Sequence, residues 1–192
     1  GLIVATTKGP SSYYSVYADA ETSKFLDPYE RSEFNVSTSG PILKDKNNQP
    51  LIGFRLGARY VGSKDPSPNY DPLHYMSADR IKELEANPVR NIGAAGAYSA
   101  GEFNLTQNTY SSKIGINNQS KNLDFNGKLD FRISKTIDVQ AGFGYTNGVG
   151  RFSPSRAWEF ANYENNPYNY SNRYRGNVRL RQKLSTTNTG II

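Results

Sequence analysis

Apolar and polar side chains alternate with a period of two over long stretches of this chain, the pattern of β-strands with one apolar and one polar face. The clearest stretch places Leu123, Phe125, Gly127, Leu129, Phe131 and Ile133 between Asp124, Asn126, Lys128, Asp130 and Arg132. A second interleaves Ile137, Val139, Ala141, Phe143 and Tyr145 with Asp138, Gln140, Gly142, Gly144 and Thr146. A third sets Tyr174, Gly176, Val178, Leu180 and Leu184 against Arg175, Asn177, Arg179, Arg181 and Lys183, with only Gln182 out of step. Nearer the start, Tyr14, Val16, Ala18 and Ala20 alternate with Ser15, Tyr17, Asp19 and Glu21. Phe34, Val36, Thr38 and Ile42 mark the next strand, and Ile52, Phe54, Leu56, Ala58 and Tyr60 the one after, opposite Arg55, Gly57 and Arg59. Gly1 to Gly9 is a short apolar run that reads as a separate buried strand.

Register sharpens the reading, because directly paired residues of antiparallel strands lie on the same face. Apolar positions are odd-numbered on both sides of Ser134-Lys135-Thr136. A two-residue turn would pair Ile133 with Asp138 and put the faces out of step. A three-residue turn pairs Ile133 with Ile137 and Phe131 with Val139, and sets Arg132 opposite Asp138 as an expected charge pair.

The connections differ in length. Residues 63–121 and 147–172 read as long loops rich in Pro, Asn, Gly and Ser, whereas Lys44 to Pro50, Ser134 to Thr136 and Ser185 to Asn188 read as turns. In the first long loop, Ser77 as N-cap, Asp79 in the first turn and the stop Asn87-Pro88 predict a helix over 78–86. Nine residues are too few for an isolated helix, so Ile81 and Leu84 must pack on the loop or on the sheet.

Composition narrows the setting. Hydrophobic residues make up 36% of the chain, while 14 Tyr, 9 Phe and 17 Gly give a β-rich, turn-rich profile. No window approaches the roughly 18 apolar residues of a spanning helix, so a place in a bilayer requires a closed barrel. A mean hydropathy of −0.69 is compatible with that, since barrel strands turn only alternate side chains to lipid. The net charge of +6 is spread over the strands rather than gathered in one basic run, which argues against nucleic acid. The chain begins Gly-Leu-Ile and ends Gly-Ile-Ile, which reads as a piece cut from a longer protein.

Candidate chemistry is sparse. With no cysteine and one histidine, thiolate sites and a Ser-His-Asp arrangement are not supported, and neither a metal nor a cofactor is expected. Asp19 with Glu21, or Asp124 with Asp130, are ordinary members of polar faces. Gly142 and Gly144 precede no helix and are no phosphate fingerprint. The aromatic and amide-rich segment 156–170 is different, because ring faces beside amides suit sugars, peptides or a protein partner, or else an interfacial girdle. Candidate contact residues are Tyr70, His74, Tyr75, Trp158, Phe160, Tyr163, Asn165, Asn166 and Tyr168. If the sheet closes, Arg55, Arg59, Asp124, Lys128, Asp130, Arg132, Asp138, Arg175, Arg179 and Arg181 form a polar wall facing the lumen.

The opening GLIVATTKGP resembles the last plug strand of TonB-dependent receptors. FNVSTSGPI, PLIGFRLGARYVGSKDPSP and DPLHYMSADRIKELEANPVR resemble the early barrel of the SusC-like receptors. The resemblance spans nearly the whole chain through diffuse motifs. It implies an all-β fold, about six to seven strands forming part of the wall of a larger antiparallel transmembrane barrel, with long extracellular loops, one holding a short helix. Residues 1–10 would end the plug domain, and 11–192 would form the N-terminal part of the barrel. The implied function is TonB-dependent import of a glycan, peptide or chelate across the Gram-negative outer membrane, without covalent chemistry. The TonB complex would act through segments outside this chain, and a SusD-like lipoprotein would dock on the loops. The alternatives are a small outer-membrane barrel or adhesin without energy coupling, and a soluble glycan-binding β-sandwich.

Overall fold

The computed structural model describes residues 11–67, 69–102, 104–152 and 154–183. The strands expected at 1–9 and after Leu184, and the turn Ser185–Asn188, lie outside them. Six long strands form one antiparallel sheet in the order β1 (Ser15–Thr22), β2 (Ser32–Lys44), β3 (Pro50–Ser63), β8 (Ser120–Arg132), β9 (Ile137–Arg151) and β10 (Tyr168–Gln182). Between β3 and β8 run β4 (Leu73–Met76), α1 (Ala78–Ala86), β5 (Val89–Asn91), β6 (Ala97–Ser99) and β7 (Thr109–Ser112). Between β9 and β10 lies α2 (Arg156–Asn162). β4 pairs with β7, and β5 with β6. The sheet is open: β1 and β10 are its two edges, and barrel closure is absent among the described residues.

Every strand pair keeps its faces in step. Ala18, Val36, Ala58, Phe125, Tyr145 and Tyr174 lie in one row across the sheet, and Ala20, Phe34, Tyr60, Leu123, Asn147 and Asn172 in the next. The turn after β8 is the three-residue one: Ile133 N–H donates to Ile137 O at 3.0 Å, and Phe131 pairs with Val139. Arg132 is opposite Asp138 as the register requires. The ion pair expected there goes elsewhere, because Arg181 on the next strand donates to the Asp138 carboxylate from Nη2 at 2.7 Å and from Nε at 3.2 Å. Asp138 has an arginine directly opposite on either side, and it is the one on β10 that closes the pair.

The first long loop, expected to hold no strand, carries the short strands β4 to β7, and three further features differ from the sequence expectation. The second long loop is shorter than 147–172, since Asn147–Arg151 and Tyr168–Asn172 continue the β9–β10 ladder. Cross-strand backbone pairing carries these polar, aromatic ends although their apolar alternation has faded. Within the remaining loop, Ser155 accepts a hydrogen bond from Trp158 N–H and caps a helix, α2, that the aromatic composition concealed. Near the end of β2 the register shifts between Pro41 and Leu43, so Leu43, not Ile42, pairs with Ile52 on the apolar face. Pro41 has no N–H for the ladder, and a bulge absorbs the extra residue.

The helix over 78–86 forms as expected, with Ser77 Oγ accepting from Arg80 N–H. Ile81 packs on a small core of Leu73, Tyr75 and Tyr163 built from the loop segments, which hold the buried hydrophobic cluster found among the described residues. The connections at 23–31, 64–119 and 152–167 emerge at one end of the sheet, and the turns at 45–49 and 133–136 at the other.

Candidate functional site

The sheet offers two faces of opposite chemistry. On the apolar one, Leu123, Phe125 and Leu129 in the middle of β8 remain 41%, 40% and 38% exposed, and Phe34, Val36, Phe143, Val178 and Leu180 are also open. No layer covers them among the described residues. Two glycines let rings lie flat on this face: a Cβ at Gly127 would run into the Phe143 ring, and one at Gly40 into Tyr14. The Phe125 and Phe143 rings stack at 6.2 Å, and Tyr145 and Tyr174 meet at 4.9 Å. Cross-strand aromatic pairs of this kind contribute up to about 1 kcal/mol each.

All ten residues expected on a polar wall share the other face. Glu33 is the hub at the long-loop end, taking Arg59 Nε and Arg31 Nη2 at 2.6 Å each and Asn35 Nδ2 at 3.2 Å. Asp124 accepts from Thr146 Oγ1 at 2.8 Å and Asn122 Nδ2 at 3.0 Å. Lys128 Nζ lies 2.9 Å from Asp130 Oδ1 but outside hydrogen-bond geometry, so this is a charge contact without a directed bond. Amides lean over glycines on this face, Asn126 over Gly57 and Asn177 over Gly142. Arg175 and Arg179 follow one another along the edge strand β10, facing Gly144 and Gln140 of β9.

The candidate contact residues in the loops divide into two groups. Tyr75 is fully buried, Tyr163 and Asn166 nearly so, and all three hold the loops together instead of presenting a surface. The Tyr75 and Tyr163 rings meet edge to face at 5.0 Å, and Tyr110, which no sequence pattern singled out, completes a tyrosine trio at 5.9 and 6.3 Å. The Tyr75 hydroxyl donates to Glu159 at 3.4 Å and accepts from Ile116 N–H at 3.1 Å. Burial raises the Tyr75 phenol above its ordinary range, and burial together with the hydrogen bond to Tyr163 raises Tyr110. Asn166 Nδ2 donates to the Ile116 carbonyl at 3.3 Å.

Tyr70, His74, Trp158, Asn165 and Tyr168 are exposed, and Phe160 is half-buried. They do not converge on one pocket. Tyr168 lies under Arg151, whose guanidinium carbon is 4.0 Å from the ring centroid. A cleft of about 330 Å³ between α1 and the end of α2 is lined by Met76, Ile81, Leu84, Ala161, Asn162 and Asn165, so Asn165 is the one candidate that borders it. No group of three or more His, Cys, Asp or Glu side chains suited to a metal ion occurs among the described residues.

Sequence reasoning also missed Asp65. Its carboxylate is 1% exposed and accepts from Gly115 N–H at 2.6 Å, Asn118 Nδ2 at 2.8 Å and Ser67 N–H at 3.0 Å, tying the two ends of the 64–119 excursion together. Its only sequence signal was an Asp-Pro-Ser turn motif, which does not announce a long-range partner. No family model, curated sequence or solved structure matches the chain significantly.

Proposed function

We propose that this chain is part of the wall of a Gram-negative outer-membrane β-barrel, from a TonB-dependent receptor of the SusC-like kind that imports a nutrient. One observation carries the membrane reading: an extended sheet whose continuous apolar face has no protein layer over it among the described residues. From Leu123 to Phe131 the apolar rows extend about 27 Å along the strand. Tilted by about 40°, as barrel strands are, that leaves about 21 Å, close to the roughly 25 Å outward band of outer-membrane barrels. A water-exposed patch of this extent would drive association, whereas lipid removes the penalty.

The loop asymmetry supports the same reading. Long connections gather at one end and tight turns at the other, as in bacterial barrels, where the long side is extracellular. The polar face, with its arginines, carboxylates and amides, then lines a water-filled or plugged interior. A nutrient would meet the loops and that interior, and a SusD-like lipoprotein would cover the loop side. Energy coupling through TonB rests on the resemblance of GLIVATTKGP to a plug strand. A soluble β-sandwich would need a second sheet over the apolar face, and the described residues supply none.

The test is expression of the full-length protein in a Gram-negative host with and without functional TonB. The expected result is a protein that stays in the detergent-extracted outer-membrane fraction and confers uptake only when TonB is functional. A protein monomeric in detergent-free buffer sinks the membrane reading, and uptake that persists without TonB sinks the energy-coupled one.

A further inference from the structure

The long-loop end of the apolar face differs from the rest of it. Ala18, Ala20 and Ala58 are small, while Phe34, Tyr60 and Leu123 rise around them, leaving a groove of about 440 Å³. It continues down the face past Val36 and Ala58 into a second depression of about 90 Å³ beside Leu56 and Phe125. At its upper end the groove meets a polar pocket of about 490 Å³, whose walls include Lys24, Lys64 and Lys121. Tyr60 borders both. Its ring lies 6.2 Å from Phe34, and its hydroxyl reaches over Gly62, where a Cβ would come within 2.7 Å. An apolar ring with its hydroxyl at the wet end is what an apolar–polar boundary selects.

The charges in the pocket are unequal. Glu30 is its carboxylate, and Lys64 takes it at 3.1 Å. Lys24 and Lys121 have no ion pair among the described residues, so the pocket keeps two uncompensated cations. Lys121 lies in the row just above Leu123 on the same face of β8, so cation and groove belong to one surface.

We propose that this surface binds an anionic lipid of the loop-side leaflet, with a headgroup phosphate among Lys24, Lys64 and Lys121 and an acyl chain along the groove floored by Ala20 and Ala58. The proposal rests on the reading that this face meets lipid, and adds a specific headgroup chemistry to it. A free phosphate would have no use for the groove, and an uncharged lipid none for the lysines.

The test places the full-length protein in phosphatidylcholine nanodiscs containing lipid A or its dephosphorylated form, and measures lipid retention by native mass spectrometry. The wild type should hold the phosphorylated lipid about tenfold or more tightly over the dephosphorylated one, given the contribution of each lysine near an anionic headgroup. Lys24→Gln with Lys121→Gln should erase that preference. Ala58→Trp should weaken both lipids alike by filling the groove. The lysine variants are at exposed positions, so they keep the test sound if Ala58→Trp fails to fold. Equal retention of both lipids by the wild type overturns the proposal. So does a preference that survives the double substitution, or displacement of lipid A by inorganic phosphate. A protein that never enters the disc overturns the membrane reading as well; one that enters without preference overturns the lipid site alone.

Discussion

At the scale of single residues, burial decides which polar groups matter. Asp65 has hardly any solvent and three donors pointed at it, two of them backbone N–H groups. Replacing one partner of such a set leaves the remainder buried and unsatisfied, at about 1–3 kcal/mol for neutral groups. Asp65→Ala should therefore release the 64–119 excursion by roughly that amount while leaving the sheet intact. Hydrogen exchange measured segment by segment is the readout, and unchanged protection at Gly115 would refute the assignment. By contrast, the exposed pairs Arg31–Glu33 and Arg59–Glu33 keep their arginines about half in solvent. Pairs of that kind contribute at most about 1 kcal/mol, so they organise the polar face more than they stabilise it.

At the scale of elements, the loops form a folded unit of their own. The short helix α1, the β4–β7 ladder and the α2 segment meet through Leu73, Tyr75, Tyr163 and Ile81. Tyr75 and Tyr110 both titrate above the ordinary phenol value of 10.0, so the folded loops hold the neutral phenols more tightly than the unfolded chain does. Their contribution is fully present below pH about 10 and is lost as the pH rises beyond it through the raised folded values. The loop cluster should thus loosen in alkali before the sheet does. Tyrosinate absorbance is the check, with Tyr75→Phe and Tyr110→Phe each removing part of a late, cooperative step. A titration in which all tyrosines ionise together near the ordinary value would contradict it. The same element scale explains the choice at Asp138, which lies on a strand with two neighbours and gives its carboxylate to one of them.

At the scale of the whole molecule, the two faces set the energetics. A charge on a lipid-facing barrel position costs about 2–4 kcal/mol near mid-bilayer. Phe125→Arg should reduce stability in vesicles by that amount, whereas Asn126→Arg, one residue along and on the other face, should change it by only about 0.5 kcal/mol. Reversible urea unfolding in phospholipid vesicles measures both. Similar costs at the two positions would mean that the faces meet the same surroundings, and the barrel-wall reading would fail.

The central parts of the six long strands, the face each residue takes there, the tight turn after Ile133 and the Ser77-capped helix were written in local periodicity. Each depends only on neighbours a few positions away, through the pleat of a strand or the pitch of a helix. Where local and long-range terms compete, the sequence stopped being sufficient. It could not tell that Arg181 takes Asp138 in place of Arg132, that Tyr75, Tyr163 and Asn166 are buried while Trp158 is not, or that Asp65 reaches Gly115 across the excursion. Nor could it show that the alanine groove ends in the pocket of Lys24, Lys64 and Lys121, residues drawn from three connections or strands. Those outcomes are set by which side chains from distant segments arrive at the same place, and only the assembled sheet and loops decide that.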